Sequence, residues 1–490
     1  MTAKESTAIS GALLWRQPGQ AACDTNARIS FANGLITEVD VNGAPNSDGR
    51  LLMPALVNAH DHVRGLRHLA FGAKDERFET WRAALYAHPR IDVYSNACLA
   101  LGRMALVGIG TTLCVYSSIR VEKLIEDAHA IARAAKDVGI RVGFVVPFRN
   151  RCTMALGDDQ VVLALQSPED RDLIEGTWLY PWPSAETYIE IAREIGKLES
   201  DTFFVQYGPN SPHACSDELM EAIIAASTAD NRRIHMHFLE SEPQRQWADA
   251  AFPDGILKHY DAMGLFSERF TGAHGIWLSQ AECDFLASRG ASIAVNTSSN
   301  LHLYSGLSPI DRYLSAGLKF SFGLDSFSLD DDEDMLRELR LSFYLHSVAH
   351  RPPGLTPATL FDAALKNGFW IATNKDGYGA IEPGKPMDML SLDYAAMTRD
   401  VIEGMIQPED AMIARASSRF VRDLWVAGRK IVSNGKLATI DLAAAEQEVL
   451  TQARVAGEGM RTLKPLMARH QKSLRDFYDR GLHKSPLSRS

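Results

Sequence analysis

The sequence predicts a (β/α)8 barrel with a smaller β unit beside it, and three observations predict it. Short apolar segments alternate with longer amphipathic ones over about 320 residues, the span that eight β-α repeats need. Strand-like blocks precede and follow that region. The histidines and carboxylates able to do chemistry fall at the C-terminal ends of the predicted strands, where barrels of this kind keep their sites.

Residues 1–50 read as short strands: ALLW, then ARISFANGLITEVDV with a hairpin turn at Asn33-Gly34. The barrel strands are expected at LLMPALVNAH (51–60), GTTLCVY (110–116), IRVGFVVPF (140–148), TFFVQYGP (202–209), RRIHMHF (232–238), RFTGAH (269–274), SIAVNT (292–297) and LKFSFGLD (318–325). Amphipathic stretches such as VEKLIEDAHAIARAAKDVG and SDELMEAIIAASTADN separate most of them. A doubly wound open sheet is the competitor, but it would carry a glycine fingerprint after its first strand, where His60-Asp61-His62 stands. Gly108-Ile109-Gly110 lacks a third glycine and precedes a strand, so it reads as a turn. Strands return at PMDMLSLD (386–393) and RFVRDLWVAGRKIVSNGKL (419–437). The two β blocks can pair if the barrel returns the chain near its start. The expected units are 1–52 (first part of the β unit), 53–378 (barrel), 379–440 (second part) and 441–490, a basic helical extension expected to be loosely held.

Composition is that of a soluble globular chain, with 46% hydrophobic, 23% charged and 8% aromatic residues, which excludes disordered, collagen-like and coiled-coil classes. The 51 basic residues against 61 acidic ones leave a net charge of −10, which disfavours nucleic-acid and anionic-membrane partners. The six cysteines form no CxxC pair, and the N-terminus has no signal-peptide core. No window reaches the ~18 apolar residues of a membrane helix. A soluble, cytoplasmic protein is expected.

His60 and His62 are two apart, so on a strand they project to one side and can share a zinc-type ion. Alone, the spacing fits an ordinary polar pair as well. His237 lies nearer the strand end than His235 and is the preferred third ligand; His235 lies deeper or supports a ligand from behind. Glu240, three residues on, suits a proton shuttle beside the ion, or a solvated loop charge. Asp325 follows Phe320, Phe322 and Leu324, where a buried carboxylate needs a cation or several donors; the alternative is a helix cap. The acidic run Asp330–Asp334 already serves the next helix start. Trp81 walls the pocket or packs a helix, and Arg67 adds a charge to the site or is a surface cation.

The stretches MPALVNAHDH, GPNSPHACSDELM, HMHFLESE, GAHGIWLSQAE, NTSSNLHLYSG and SFGLDSFSLDDDEDM together resemble the amidohydrolase superfamily. The likeness is to its mononuclear-metal branch of cytosine, guanine and adenosylhomocysteine deaminases and triazine chlorohydrolases. IEPGKPMDMLSLD and VRDLWVAGRKIVSNGKL are similar to that family's C-terminal return, so the resemblance spans about residues 25–440. It implies a barrel plus a β-sandwich from both chain ends, and homo-oligomers. It implies one divalent ion per chain, Zn²⁺ first and Fe²⁺ second, on His60, His62, His237 and Asp325, with no carbamylated lysine. Glu240 matches the acid/base glutamate, Asp325 also takes the water's proton, and His274 orients water or stabilises the developing oxygen.

The chain departs from that pattern at Pro54-Ala55, where relatives have Pro-Gly. It departs again at Asn210 and His213, at Asn296 (commonly histidine) and at His302 after Asn300-Leu301 (commonly lysine). Asn210, His213, Asn296, Asn300 and His302, with Arg67 and Trp81, are therefore the expected substrate contacts. The implied activity is hydrolytic deamination of a purine-, pyrimidine- or triazine-like heterocycle by metal-activated water, releasing ammonia. The rival is release of chloride or an amine from a triazine, urea or carbamate. A metal-free scaffold on the same fold is the remaining alternative, and it has no need of the complete ligand set.

Overall fold

The computed structural model describes residues 7–485 apart from residues 21, 42, 119, 349 and 350; the end of the expected polar tail, 486–490, lies outside the described residues. Among the described residues sixteen strands form two sheets of eight. The chain begins with β1 (Thr7–Leu14), β2 (Asp24–Ala32), β3 (Leu35–Asp40) and β4 (Arg50–Pro54). The barrel follows: β5 (Leu56–Asp61), β6 (Ile109–Val115), β7 (Arg141–Phe148), β8 (Phe203–Pro209), β9 (Ile234–Phe238), β10 (Phe270–His274), β11 (Ser292–Val295) and β12 (Lys319–Phe322). The last strands are β13 (Met389–Asp393), β14 (Val421–Val426), β15 (Arg429–Ser433) and β16 (Lys436–Leu437).

Strands β5 to β12 are parallel and neighbour one another in chain order, and each of the eight expected segments supplies one. The amides of Leu324 and Asp325 both donate to the His60 carbonyl, at 3.1 and 2.9 Å, and join the end of the last strand to the first. Helices cover the outside, so β6 is buried at every residue, which is why these strands read as unbroken apolar runs. Helix Gly368–Thr373 seals the N-terminal end of the barrel, packing Phe369, Ile371 and Ala372 against Val57, Leu113 and Val145. It comes so close that a Cβ on Gly143 would lie 2.1 Å from the Ala372 carbonyl oxygen.

The second sheet runs β16-β15-β14-β13-β4-β1-β2-β3 and joins both chain ends, as expected. Its hairpins turn at Asn33-Gly34 (φ 53° and 79°) and Asn434-Gly435 (φ 50° and 71°), the left-handed pair that a tight twisted turn requires. One expectation is corrected: LLMPALVNAH is two strands. β4 pairs with β1 and β13 in the second sheet, and the barrel starts only at Leu56. Residues 51–61 are buried throughout, so the change of sheet at Pro54-Ala55 leaves no polar mark in the sequence.

The extension is also corrected. Helix Leu442–Asp479 is docked, with Leu466, Met467, Leu474 and Phe477 packed against Ala83, Met154, Leu163, Ile174 and Trp178. Arg469 grips Asp170 through two bonds of 2.7 and 2.6 Å, and Arg475 pairs with Glu76 at 2.7 Å. No helix among the described residues is long and apolar enough to cross a membrane.

The two sheets meet at a buried ion pair between Arg141, which opens β7, and Asp388, whose other oxygen accepts the Ala427 amide at 2.6 Å. Asp388→Ala leaves a buried guanidinium without its partner and should cost about 3–5 kcal/mol. Urea unfolding monitored by tryptophan fluorescence measures this loss.

Candidate active site

At the C-terminal rim of the barrel, β5 presents His60 with His62 just past its end, β9 presents His237, β10 ends in His274, and Asp325 follows β12. The Nε2 atoms of His60 and His62 lie 3.2 and 3.0 Å from the same oxygen of Asp325. Donor atoms of His60, His62 and His237 fall within 4.8 Å of one another, as do those of His60, His274 and Asp325.

The inward atoms are set from behind. His62 Nδ1 donates to the Val115 carbonyl (2.6 Å) and His237 Nδ1 to the Asn210 carbonyl (2.8 Å), which leaves each Nε2 with its lone pair toward the centre. His60 Nδ1 lies 2.8 Å from Nε2 of the deeper His235. Burial lowers the pKa of His62 and holds His235 and His237 well below the usual imidazole value, so the rings stay neutral. Burial alone would raise the Asp325 carboxyl, but the His60 and His62 imidazoles against it win and hold it well below the ordinary range. Its second oxygen accepts the Ser299 hydroxyl at 2.6 Å.

Five residues at these strand ends have left-handed backbone: Val63 (φ 52°), Leu239 (49°), His274 (73°), Asp325 (57°) and Ser326 (52°). A β-branched residue such as Val63 is a true outlier there, and each such residue costs about 1–3 kcal/mol. The Asp61 carboxylate offsets part of that cost. It accepts the Val63 amide (2.7 Å), the Ser326 amide (3.0 Å) and hydroxyl (2.5 Å) and the Asn58 side chain (2.9 Å).

Glu240 is buried, and burial, reinforced by the charges of Asp325 and Glu79, pushes its carboxyl well above the usual range. One oxygen lies 3.9 Å from His274 Nε2. The other oxygen and His274 Nε2 have no hydrogen-bond partner among the described residues, a rare state for buried polar atoms. Imidazoles beside a carboxylate are the donor set of a zinc-type ion, and His60, His62, His237 and Asp325 fit one. Burial lowers the pKa of His274 to about 4, and its Nδ1 lies 2.9 Å from the Asn300 side-chain oxygen.

His62, His237, Glu240, His274 and Asp325 form the floor of a cavity of about 1020 Å³, with His60 buried beneath them. Of the expected substrate contacts, Trp81, Asn210 and His213 border it; Arg67, Asn296, Asn300 and His302 do not. Trp81 packs edge-on to Phe327 at 5.5 Å, and His213 Nδ1 lies 2.9 Å from the Ser211 hydroxyl. Asn296 and Asn300 stand behind His274. His302 turns to Asp75 (2.9 Å), and Arg67 to Glu333 (3.0 Å). Sequence reasoning missed Glu79, Arg82, Arg149 and Ser299. It also missed Ala456, Met460 and Leu463 of the C-terminal helix, which line the cavity from above. Of these, only Arg82 carried a signal, standing beside Trp81.

The model of the amidohydrolase family matches residues 51–431. The chain belongs to the amidohydrolase family. A 5-methylthioadenosine/S-adenosylhomocysteine deaminase of Bacillus cytotoxicus is 26% identical over 426 residues, covering 84% of this chain and 87% of that protein. A 5'-deoxyadenosine deaminase of Methanothermobacter thermautotrophicus is 26% identical over 84% of this chain and 89% of its own length. Among solved structures, a zinc-bound adenosine deaminase from Xanthomonas campestris superimposes with a TM-score of 0.75 at 22% identity, covering 93% of this chain and 98% of that one. A zinc-bound atrazine chlorohydrolase variant from Arthrobacter aurescens gives 0.75 at 20% identity, over 91% and 99%. These structures share the fold of this amidohydrolase.

The acidic run expected to serve a helix start does so through Asp334, which caps the helix Met335–Leu345. Glu333 differs: it is buried beside Arg67, and burial outweighs that pairing to push its pKa up to about 7. A carboxyl that binds its proton more tightly folded than unfolded loses stability as pH rises from about 4.5 to 7, by up to about 3 kcal/mol. Glu333→Gln should flatten that decline, which melting temperatures across this pH window would reveal.

Proposed function

We propose that this amidohydrolase is a metal-dependent enzyme acting on C–N bonds, and that it deaminates an aminated heterocycle by hydrolysis. One observation carries the reading: a carboxyl biased toward its protonated form, Glu240, lies 3.9 Å from His274 and beside the His60–His62–His237–Asp325 cluster on one cavity floor. The relatives named for deaminating adenosine-type compounds support it. One divalent ion, zinc, is the proposed occupant of the four-residue cluster. When bound it supplies the Lewis acidity that lets a water lose its proton near neutral pH.

The protein's own groups carry the protons. Glu240 begins protonated and gives its proton to the ring nitrogen as water adds to the amino-bearing carbon. The C–O bond forms while the C=N π pair moves onto that nitrogen. Asp325, kept ionised, takes a proton from the water. The two water protons then pass, through Asp325 and Glu240, one to the leaving amine and one back to Glu240. The C–N bond breaks, ammonia leaves and a carbonyl remains. His274 holds the attacking water by a hydrogen: with its Nδ1–H donated to Asn300, Nε2 is an acceptor. Serving instead as a donor to the developing oxygen would require the other tautomer or an imidazolium, and a pKa of about 4 opposes the latter.

Ammonia release across a panel of aminated purines, pyrimidines and triazines tests the reaction; chloride or alkylamine release instead would select the triazine-type alternative. Elemental analysis should find one zinc per chain, and His62→Ala should lose metal and activity together. Glu240→Gln keeps the shape but cannot shuttle a proton. It should keep metal and KM while kcat per bound metal falls by about 10²–10⁴. A fall of less than about threefold would remove Glu240 from the shuttle.

A further inference from the structure

Behind the floor lies a buried carboxylate that does not border the cavity. Strand β11 ends at Val295, and the chain runs into the short helix Thr297–His302, which carries Ser299 and Asn300. Ser299 donates to Asp325 at 2.6 Å, and the Asn300 side-chain oxygen lies 2.9 Å from His274 Nδ1. Adjacent residues of one short helix thus touch the two groups that the proposed reaction sets against the water. The first amides of a helix need acceptors, and the residue just before it commonly supplies one. Asn296 stands there, but it makes no capping bond, and its side-chain nitrogen lies 3.4 Å from His274 Nδ1.

Glu338 supplies what Asn296 withholds. It lies in helix Met335–Leu345, 2% exposed, and its two oxygens accept the Ser298 amide at 3.0 Å and the Ser298 hydroxyl. Neither Glu338 nor Ser298 lines the cavity. The support behind Glu338 is firm. Asp334 caps its helix and also accepts the Ser418 amide at 2.8 Å, while Met335, Leu336, Leu339 and Phe343 pack into the core. A carboxyl in so dry a place is costly unless donors meet it, and here both donors belong to one residue. Two bonds to Ser298 fix its rotation as well as its position. Ser299 and Asn300 follow directly, so a rotation at Ser298 would swing the Ser299 hydroxyl off Asp325 and the Asn300 amide off His274 together.

We propose that Glu338 is a positioning residue, which grips Ser298 from the outer helix layer and, through Ser299 and Asn300, sets the aim of Asp325 and His274. The roles of those two groups rest on the reading under the proposed function. The grip itself needs only the contacts around Ser298.

The test compares full-length wild type with Glu338→Ala, Glu338→Gln, Ser299→Ala and the Glu338→Ala/Ser299→Ala pair. Crystal structures read the two contacts, competition with a chelator reads zinc affinity, and ammonia release reads kcat and KM per bound zinc. In Glu338→Ala the Ser299–Asp325 and Asn300–His274 pairs should open beyond hydrogen-bond reach. Zinc affinity and kcat should each fall about 10–100-fold, the usual result of losing a group that orients a ligand from behind. KM should change little, because neither Glu338 nor Ser298 borders the cavity. Glu338→Gln keeps an acceptor for the Ser298 amide and should recover most of both losses. In the Ser299→Ala background, Glu338→Ala should add little further loss of zinc affinity, since both changes act through one contact. If Glu338→Ala does not fold, Glu338→Asp, one methylene shorter, takes its place with the same signs. Unchanged contacts, fully additive losses, or zinc affinity and kcat within about threefold of wild type while only the melting temperature falls would overturn the role. If wild type holds no zinc, the contacts in the crystals decide alone. Zinc affinity that follows Glu338 with no ammonia from any compound would remove the deaminase reading and leave the positioning role standing. Equal ammonia release by wild type and Glu338→Ala would do the reverse.

Discussion

The carbonyl oxygen of His60 accepts two amides from the other end of the barrel, Leu324 and Asp325, and the candidate site depends on that junction. It brings His60 and Asp325, 265 residues apart, to 3.2 Å. Because the acceptor belongs to the residue that also offers an imidazole, backbone closure and ligand spacing are one constraint. It forces the chain after β12 into two consecutive left-handed residues, Asp325 and Ser326, and the turn after β5 into another at Val63. Asp61 answers all of these turns at once. The aspartate inside His60-Asp61-His62 is therefore a structural clamp between two histidines of the candidate site, with its carboxylate turned away from the cluster and into the backbone around it.

That division explains what the sequence could reveal. The eight barrel strands were legible because a parallel sheet covered by helices leaves unbroken apolar runs, and His60 and His62 because period two puts both on one side. Glu240 and Asp325 were legible by position, as carboxylates just beyond apolar strands. The same continuity hid the passage from β4 to β5, since buried residues on both sides of Pro54-Ala55 look alike in either sheet. The residues flanking His274 show the converse failure. Asn296 and Asn300 differ from the resembled pattern and look like substrate contacts, yet they meet the ring's Nδ1 face, and no spacing rule tells which side of an imidazole a neighbour occupies. His302 and Asp75 are 227 residues apart, and Arg67 and Glu333 are 266 apart, so those pairings follow only from the fold.

Electrostatics then separates the cavity into two zones. On the floor, burial and hydrogen bonding work in opposite directions on neighbouring acids: Asp325 is held ionised by two imidazoles, while Glu240, with no cation in contact, is pushed toward its protonated form. Two carboxyls within one site thus reach different protonation states without any difference in chemistry between them, which is what a hydrolysis needing both an acceptor and a donor of protons requires. On the wall Arg82 and Arg149 donate to neutral oxygens, those of Thr153 and Asn210.

The roof obeys a different physics from the floor. It is helix Leu442–Asp479, beyond the 51–431 span that matches the family, and it contributes Ala456, Met460 and Leu463 to the cavity. Over the cavity the helix contains Gly457 and Gly459, neither with a neighbour in reach of a Cβ, and Pro465 follows within the next two turns. Glycine costs about 1 kcal/mol in a helix interior and proline about 3, so this stretch is intrinsically weak. What fixes it lies further along, in the apolar stripe of Leu466, Met467, Leu474 and Phe477 and the grip of Arg469 on Asp170. The anchor is strong where it touches helices after β7 and weak where it faces the cavity. The floor is therefore set by covalent proximity to the barrel junction, whereas the roof is set by side-chain packing on an inserted helical segment. Changes in the roof can reshape what enters the cavity while the His60–Asp325 junction, and with it the reaction, stays unchanged.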